Sequence, residues 1–385
     1  MALAVIDSLS FYGNGPSVVE VASGIYAIAF RRGFSREYLV TVSIDASGSI
    51  GYAVIDSFNY YTGSGSSSHY CGNPSIIHVS GDIYAIAYED VERDGNLVTV
   101  EIDSEGNISE PIIDSLEFLD AGDLQAFPGA LQPHIIHISG DIYAIAYCDF
   151  PGDPHPGVVT TVEIDCAGNI TDPVVDSHTF DADSGQSPHI IHISGTVYAI
   201  VYYCGSPYVK TITIGNDGAA GPVIDSLYYT DPQIQGFNPS MAHVAGDIYA
   251  IVCQGLNNDG FLRTVNIDAA GNIGAVIDTF EFDETNGGEP HIIKLTSGLF
   301  AIAYRGADND GFVITIAIAD NGTIGSIDQT LEYDTSSGYW PYVFEITSVV
   351  FAIAYGSDGR LKTIGPEKIA AIAGLNPVLM EVLGY

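Results

Sequence analysis

The 385-residue sequence predicts an all-β fold: a ring of seven like units, each a sheet of four short antiparallel strands. Three observations carry this expectation. The string IYAIAY or a close variant recurs with its first aromatic at Tyr26, Tyr84, Tyr143, Tyr198, Tyr249, Phe300 and Phe351, at intervals of 58, 59, 55, 51, 51 and 51 residues. A second string, VIDS or a relative, places Asp7, Asp56, Asp114, Asp176, Asp225, Asp278 and Asp328, so both markers number seven. The last repeat ends after three strands, and the missing fourth stands at the start of the chain.

Within one repeat the strands read PHIIHIS (133–139), DIYAIAY (141–147), VVTTVEID (158–165) and NITDPVVDSHTF (169–180). Ser-Gly, a longer variable loop and an Asp-x-x-Gly turn join them, all of them hairpin chemistry. Side chains alternate along a strand, so Tyr143, Ile145 and Tyr147 share one face while Ala144 and Ala146 share the other. Units can then pack bulky face on small face, which fills a radial core. In the last repeat the strands fall at 341–347, 349–355 and 360–364, and residues 3–11 read as the fourth. Pairing these ends closes the ring and removes two exposed sheet edges.

Four antiparallel strands in each of seven repeats resemble the blades of the seven-bladed β-propeller superfamily, over roughly residues 3–364. The repeats lack the GH…WD signature of WD40 blades and the glycine pair of kelch blades. The resemblance implies seven-fold pseudo-symmetry, a central channel, and binding on the face that carries the variable loops. Residues 1–365 are expected to form the propeller. Residues 366–385, PEKIAAIAGLNPVLMEVLGY, are expected to form a short helical, apolar tail that folds back or docks on another subunit.

Lys and Arg total 11 against 48 Asp and Glu, a formal net charge of −37. This charge removes the electrostatic term behind most binding to nucleic acid and anionic membranes. It serves solubility, cation binding or attraction to basic surfaces. No apolar run reaches the length of a membrane span, and no signal peptide precedes the first strand. Composition favours an extracellular or virion surface. Five cysteines at no fixed repeat position form neither a disulfide framework nor a zinc site.

Constant turns mark one face as structural, and the loops at 60–73, 119–132, 149–156 and 231–238 mark the other as the recognition face. Tyr60, Tyr61, Tyr70, Phe127, Tyr208, Tyr229, Phe237, Tyr339 and Trp340 supply its stacking surface. Two columns are expected to line the channel. The first follows a proline in each repeat: Ser17, Ser75, His134, His189, Ser240, His291 and Tyr342, of which the histidines and the tyrosine join the ligand-binding set. The second comprises Glu20, His78, His137, His192, His243, Lys294 and Glu345. Its four histidines stand too far apart around a seven-fold axis for one ion with bonds of about 2.1 Å. Occurrence once per repeat makes the VIDS aspartates structural rather than catalytic. Asp-Gly loops at 93–96, 257–260, 308–311 and 357–359 resemble fragments of calcium loops without the spacing of a full one, and leave Ca²⁺ as the one cofactor open.

These features point to a non-enzymatic binding or assembly module for a glycan or protein. It could also be a homo-oligomer or filament joined through the N-terminal strand and the tail. The other reading is a propeller hydrolase or lyase using acidic loop residues, with Ca²⁺.

Overall fold

A computed structural model describes residues 2–33, 36–61, 73–120, 132–149, 154–205, 207–228 and 236–367. The expected helical tail therefore lies outside the described residues, apart from its first two positions.

The chain begins with β1 (Leu3–Ser10). Blade 1 follows as β2 (Asn14–Ala22), β3 (Ile25–Arg31), β4 (Glu37–Ser43) and β5 (Asp56–Asn59). Blade 2 comprises β6 (Ser75–Ser80), β7 (Ile83–Glu89), β8 (Gly95–Glu101) and β9 (Asp114–Leu119). Blade 3 comprises β10 (His134–Ser139), β11 (Ile142–Cys148), β12 (Gly157–Glu163) and β13 (Asp176–Asp181). In blade 4 come β14 (Gln186–Ser194), β15 (Val197–Tyr203), β16 (Pro207–Ile214) and β17 (Ala220–Tyr228). Blade 5 holds β18 (Phe237–Ala245), β19 (Ile248–Gln254), β20 (Gly260–Ile267) and β21 (Ile273–Asp283). Blade 6 holds β22 (Gly288–Thr296), β23 (Leu299–Arg305), β24 (Gly311–Ile318) and β25 (Ile324–Asp334). Blade 7 uses β26 (Tyr342–Thr347), β27 (Val350–Tyr355) and β28 (Arg360–Pro366), and its fourth strand is β1. The chain is thus a seven-bladed β-propeller of four-stranded antiparallel sheets, closed as the sequence predicts. β1 pairs with β28 from Leu3 opposite Pro366 to Ser10 opposite Arg360.

The alternation in each second strand builds the spaces between blades. Tyr143, Ile145 and Tyr147 of blade 3 pack on Ala85, Ala87 and Leu97 of blade 2. Ala144 and Ala146, on the other face of the same strand, receive Tyr198, Ile200 and Tyr202 of blade 4. The last gap repeats the scheme, with Tyr26, Ile28 and Phe30 of blade 1 on Ala352 and Ala354 of blade 7. Small side chains let neighbouring sheets approach, and bulky ones fill the wedge between them.

Polar clamps at the outer edge reinforce each gap. Thr41 Oγ1 donates to Gly106 O at 2.5 Å and the Asp56 carboxylate accepts Ile108 N–H at 2.9 Å, so blade 1 grips the Asp-x-x-Gly turn of blade 2. Threonines 99, 161, 211, 264 and 363 repeat the first bond, to glycines 168, 218, 271, 322 and 48. Asp114, Asp176, Asp225, Asp278 and Asp7 repeat the second. Six VIDS aspartates are thereby committed to holding blades together.

Candidate functional site

The inner strand of every blade is entered through an X-Pro pair: Gly15-Pro16, Asn73-Pro74, Gln132-Pro133, Ser187-Pro188, Asn238-Pro239, Glu289-Pro290 and Trp340-Pro341. Six of these pairs, together with Pro16 of the first, converge on the axis at the loop face, where they line a cavity of about 160 Å³. Proline disfavours helical backbone in the residue before it, yet Gln132, Ser187, Asn238, Glu289 and Trp340 have φ of 45°, 50°, 48°, 52° and 49°. Non-glycine residues in that region cost about 1–3 kcal/mol each, and such strain gathers at binding and catalytic sites. Here the surrounding blades hold five side chains in a fixed crown.

The crown is internally bonded. Ser187 Oγ lies 2.5 Å from Gln132 Oε1 and 3.0 Å from Asn238 Oδ1. Glu289 accepts Trp340 N–H at 2.7 Å and pairs with Arg305 at 3.2 Å, and the Arg305 guanidinium lies 5.1 Å from the Tyr339 ring centre. Burial raises the Glu289 carboxyl, while Arg305 opposes that rise.

Below the crown lies the first channel column, which doubles as an inter-blade seam. Ser17, Ser75 and Ser240 accept the N–H of Ile76, Ile135 and Ile292 in the following blade at 3.2, 3.2 and 3.4 Å. His134 and His291 do the same through Nδ1, accepting Ile190 N–H at 3.4 Å and Val343 N–H at 3.2 Å. The Tyr342 hydroxyl meets Ser17 and closes the circle. Nδ1 of His189 is buried without a hydrogen-bond partner. His134 and His189 lie 4.3 Å apart between ring centres, and His291 stacks on Tyr342 at 4.4 Å. Burial holds His134 and His291 down to about 4 and His189 well below its ordinary value, so all three are neutral at pH 7. An Nδ1 that accepts leaves the proton on Nε2, so His134 and His291 are uncharged donors in the cavity wall.

The second column stands at the other end of the inner strands. His78, His137, His192 and His243 donate through Nε2 to the carbonyls of Gly81, Gly140, Gly195 and Gly246 at 2.8, 2.8, 3.0 and 2.8 Å, each within its own turn. Each also lies against the tyrosine of its neighbouring strand, as His78 does on Tyr84 at 5.1 Å. Lys294 Nζ donates to Val244 O at 2.5 Å, while Glu20 and Glu345 are exposed. Burial, then Glu20 and Glu345, push the Tyr26 hydroxyl between them up to about 12. Among the described residues no three His, Cys, Asp or Glu side chains converge as metal ligands.

Tyr60 requires a correction. It is 1% exposed, with its ring edge-on to Tyr88 at 5.3 Å and its hydroxyl toward Glu37, so it belongs to the core and not to a recognition surface. Tyr61 is half-buried and packs against the same core. Tyr70 and Phe127 lie outside the described residues. Trp340 and Tyr342 line one side of the mouth, while Tyr339 packs against Arg305 behind it. The Asp-Gly loops also have a packing cause: a Cβ on Gly95, Gly260 or Gly311 would fall 2.4, 2.2 or 2.3 Å from the ring of Phe118, Phe282 or Tyr333. The sequence pattern pointed to the residue after each proline and, of the residues before it, to Trp340 alone. The seven-fold X-Pro repeat was the available signal.

No known protein family matches the chain, and no curated protein does. Solved structures share the fold. The WD40 domain of Toxoplasma gondii coronin aligns with TM-score 0.58 at 13% identity, covering 95% of this chain and 87% of that one. Sqt1 from Chaetomium thermophilum bound to the N-terminus of ribosomal protein L10 gives 0.53 at 12%, covering 93% and 98%. A putative 6-phosphogluconolactonase from Bacteroides uniformis gives 0.56 at 11%, covering 82% and 84%. These likenesses establish the propeller architecture and no shared activity.

Proposed function

We propose that this propeller is a non-enzymatic binding module that seats a chain end or protruding side chain of a basic protein partner in its axial mouth. The observation that carries the reading is the strained crown around a cavity of about 160 Å³, to which all seven blades contribute. A space of that size admits one ring-sized group. Prolines supply apolar walls, neutral histidines and amides supply hydrogen bonds, and Trp340 with Tyr342 supplies the aromatic surface that dominates binding energy in many interfaces. The net charge of −37 favours a cationic partner. Among the described residues, four cations are already paired within the chain: Lys210 with Asp181, Arg305 with Glu289, and Arg360 and Lys362 with Asp334. Sqt1, of the same architecture, was solved with the N-terminus of a ribosomal protein bound.

Isothermal titration of the full chain with a panel of basic peptides tests the reading, with neutral oligosaccharides as the second arm. Saturable binding of a peptide that Trp340→Ala weakens by about 30-fold or more, with an unchanged melting temperature, supports it. Binding confined to oligosaccharides, or a peptide affinity indifferent to both Tyr339→Ala and Trp340→Ala, overturns it.

A further inference from the structure

On the side of blade 7 that faces blade 6, the ladder sets two parallel rows of side chains. Tyr355, Arg360 and Ser10 stand side by side in one, and Ile353, Lys362 and Ser8 in the next. Residues opposite one another across a ladder lie about 5 Å apart, and those two positions apart along a strand about 7 Å. Arg360, Lys362, Ser8 and Ser10 therefore form the four corners of one patch. With Asp358 they line a cleft of about 270 Å³ at the outer edge of the blade, many times the share of one water, about 30 Å³.

The pseudo-symmetry of the ring shows what is different here. In the other blades the place of Ser10 is taken by Asn59, Glu117, Thr179, Tyr228, Glu281 or Glu332, every one a larger side chain. In blades 4 and 6 the place of Arg360 holds an aromatic ring, Tyr208 or Phe312, stacked on the second-strand tyrosine at 5.6 or 5.8 Å. Among the seven residues at that place Arg360 is the only cation. Blade 7 thus opens a space that its neighbours fill, and puts positive charge where three of them put a glutamate.

Hydrogen-bond donors in the cleft are in excess. Arg360 uses three of its five N–H groups, one on Asp334 and two on Asp358, and Lys362 uses two of its three on Tyr333 O and Asp334. Two guanidinium N–H groups and one ammonium N–H remain, and the Ser8 and Ser10 hydroxyls add two donors more. The Arg360 and Lys362 side chains are 30% and 20% exposed, so carboxylates anchor them on one side while the other reaches solvent.

We propose that this cleft binds a tetrahedral oxyanion, phosphate or sulfate, as the free ion or as a monoester. A carboxylate offers two oxygens in one plane, whereas donors at four corners of a patch match oxygens that point in several directions. Asp334 and Asp358 hold the two cations in position, so binding orders no long side chain and loses little entropy. The acidity of the rest of the chain is screened beyond about 8 Å at physiological salt and leaves the local donors to decide. The site is independent of the axial mouth.

Isothermal titration of the full chain with sodium phosphate, against sodium chloride at matched ionic strength, tests the proposal, with sodium sulfate and phenyl phosphate as further arms. Phosphate should bind saturably and chloride should not. Ser10→Tyr supplies the side chain that blade 4 carries as Tyr228 and leaves every ion pair in place. It should weaken phosphate about tenfold or more without lowering the melting temperature. Arg360→Gln should weaken phosphate to a similar degree, while Trp340→Ala, at the axial mouth, should leave its affinity unchanged. Phenyl phosphate binding more tightly than inorganic phosphate assigns the cleft to a monoester, and equal or weaker binding assigns it to the free ion; both uphold the site. Phosphate and sulfate that give no saturable heat beyond the chloride control overturn the proposal. So does a phosphate affinity that the folded Ser10→Tyr variant leaves unchanged.

Discussion

Asp7 N–H donates to Thr363 Oγ1 at 3.1 Å, joining residues 356 positions apart in sequence. The same hydroxyl donates to Gly48 O at 2.5 Å, and the Asp7 carboxylate accepts Ile50 N–H at 2.9 Å. Both ends of the chain thus build one clamp on blade 1. Thr363→Val and Asp7→Ala should each destabilise the protein by about 1–3 kcal/mol, because each leaves buried partners unpaired. Their effects should fall short of additive in a double-mutant cycle measured by urea unfolding. Deleting residues 1–11 removes all of β1, bares the edge of β28, and should lower the melting temperature far more than either substitution.

The wedge packing predicts opposite failures on the two faces of one strand. Ile145 is fully buried, and Ile145→Ala should cost about 2–5 kcal/mol through the cavity it leaves. Ala146, equally buried, faces the bulky side chains of blade 4, and Ala146→Ile should cost about 1–3 kcal/mol by overpacking. Denaturant melts of the two variants check both values.

Acid should loosen the axial ring. His134 and His291 are held down to about 4 by burial, against an ordinary value near 6.5. A depressed histidine is neutral in the folded state and takes up its proton on unfolding, so its contribution is intact above about pH 6.5 and is lost as pH falls toward 4. Melting temperature should therefore decline across that window, and His134→Gln/His291→Gln should flatten the decline. A profile identical in the variant would remove these histidines as its cause.

Asp334 ties the last two blades together. It accepts from Tyr355 at 2.8 Å and Arg360 at 2.6 Å, with Lys362 at 3.3 Å. Burial works against the charge, but the bonds from Tyr355, Arg360 and Lys362 prevail and hold the carboxyl at about 2. Asp334→Ala leaves those partners without their acceptor and should cost about 3–5 kcal/mol by thermal unfolding.

Much of the fold was legible in the sequence because its determinants are periodic. The IYAIAY string states the bulky and small faces directly, and the VIDS aspartate recurs wherever a clamp forms. The closing strand was legible because β1 repeats the outer strand that blade 7 lacks. The site was less so. Tyr60 reads as a loop aromatic, yet it follows the outer strand and turns inward against Tyr88, a contact between blades that no local pattern encodes. Trp340 was recognised, but its neighbours in the crown, Gln132, Ser187, Asn238 and Glu289, share only the following proline and a positive φ, and composition hides both.

Trp340 is the sole tryptophan of the chain and lines the axial cavity, so its emission reports directly on occupancy of the mouth. The most direct measurement is a fluorescence titration of the full chain with basic peptides at low and high salt. Trp340 emission should change saturably, with an affinity that falls as salt rises because the partner is drawn by charge. A peptide that binds by calorimetry while leaving Trp340 emission unchanged would place the interaction elsewhere and contradict the central claim.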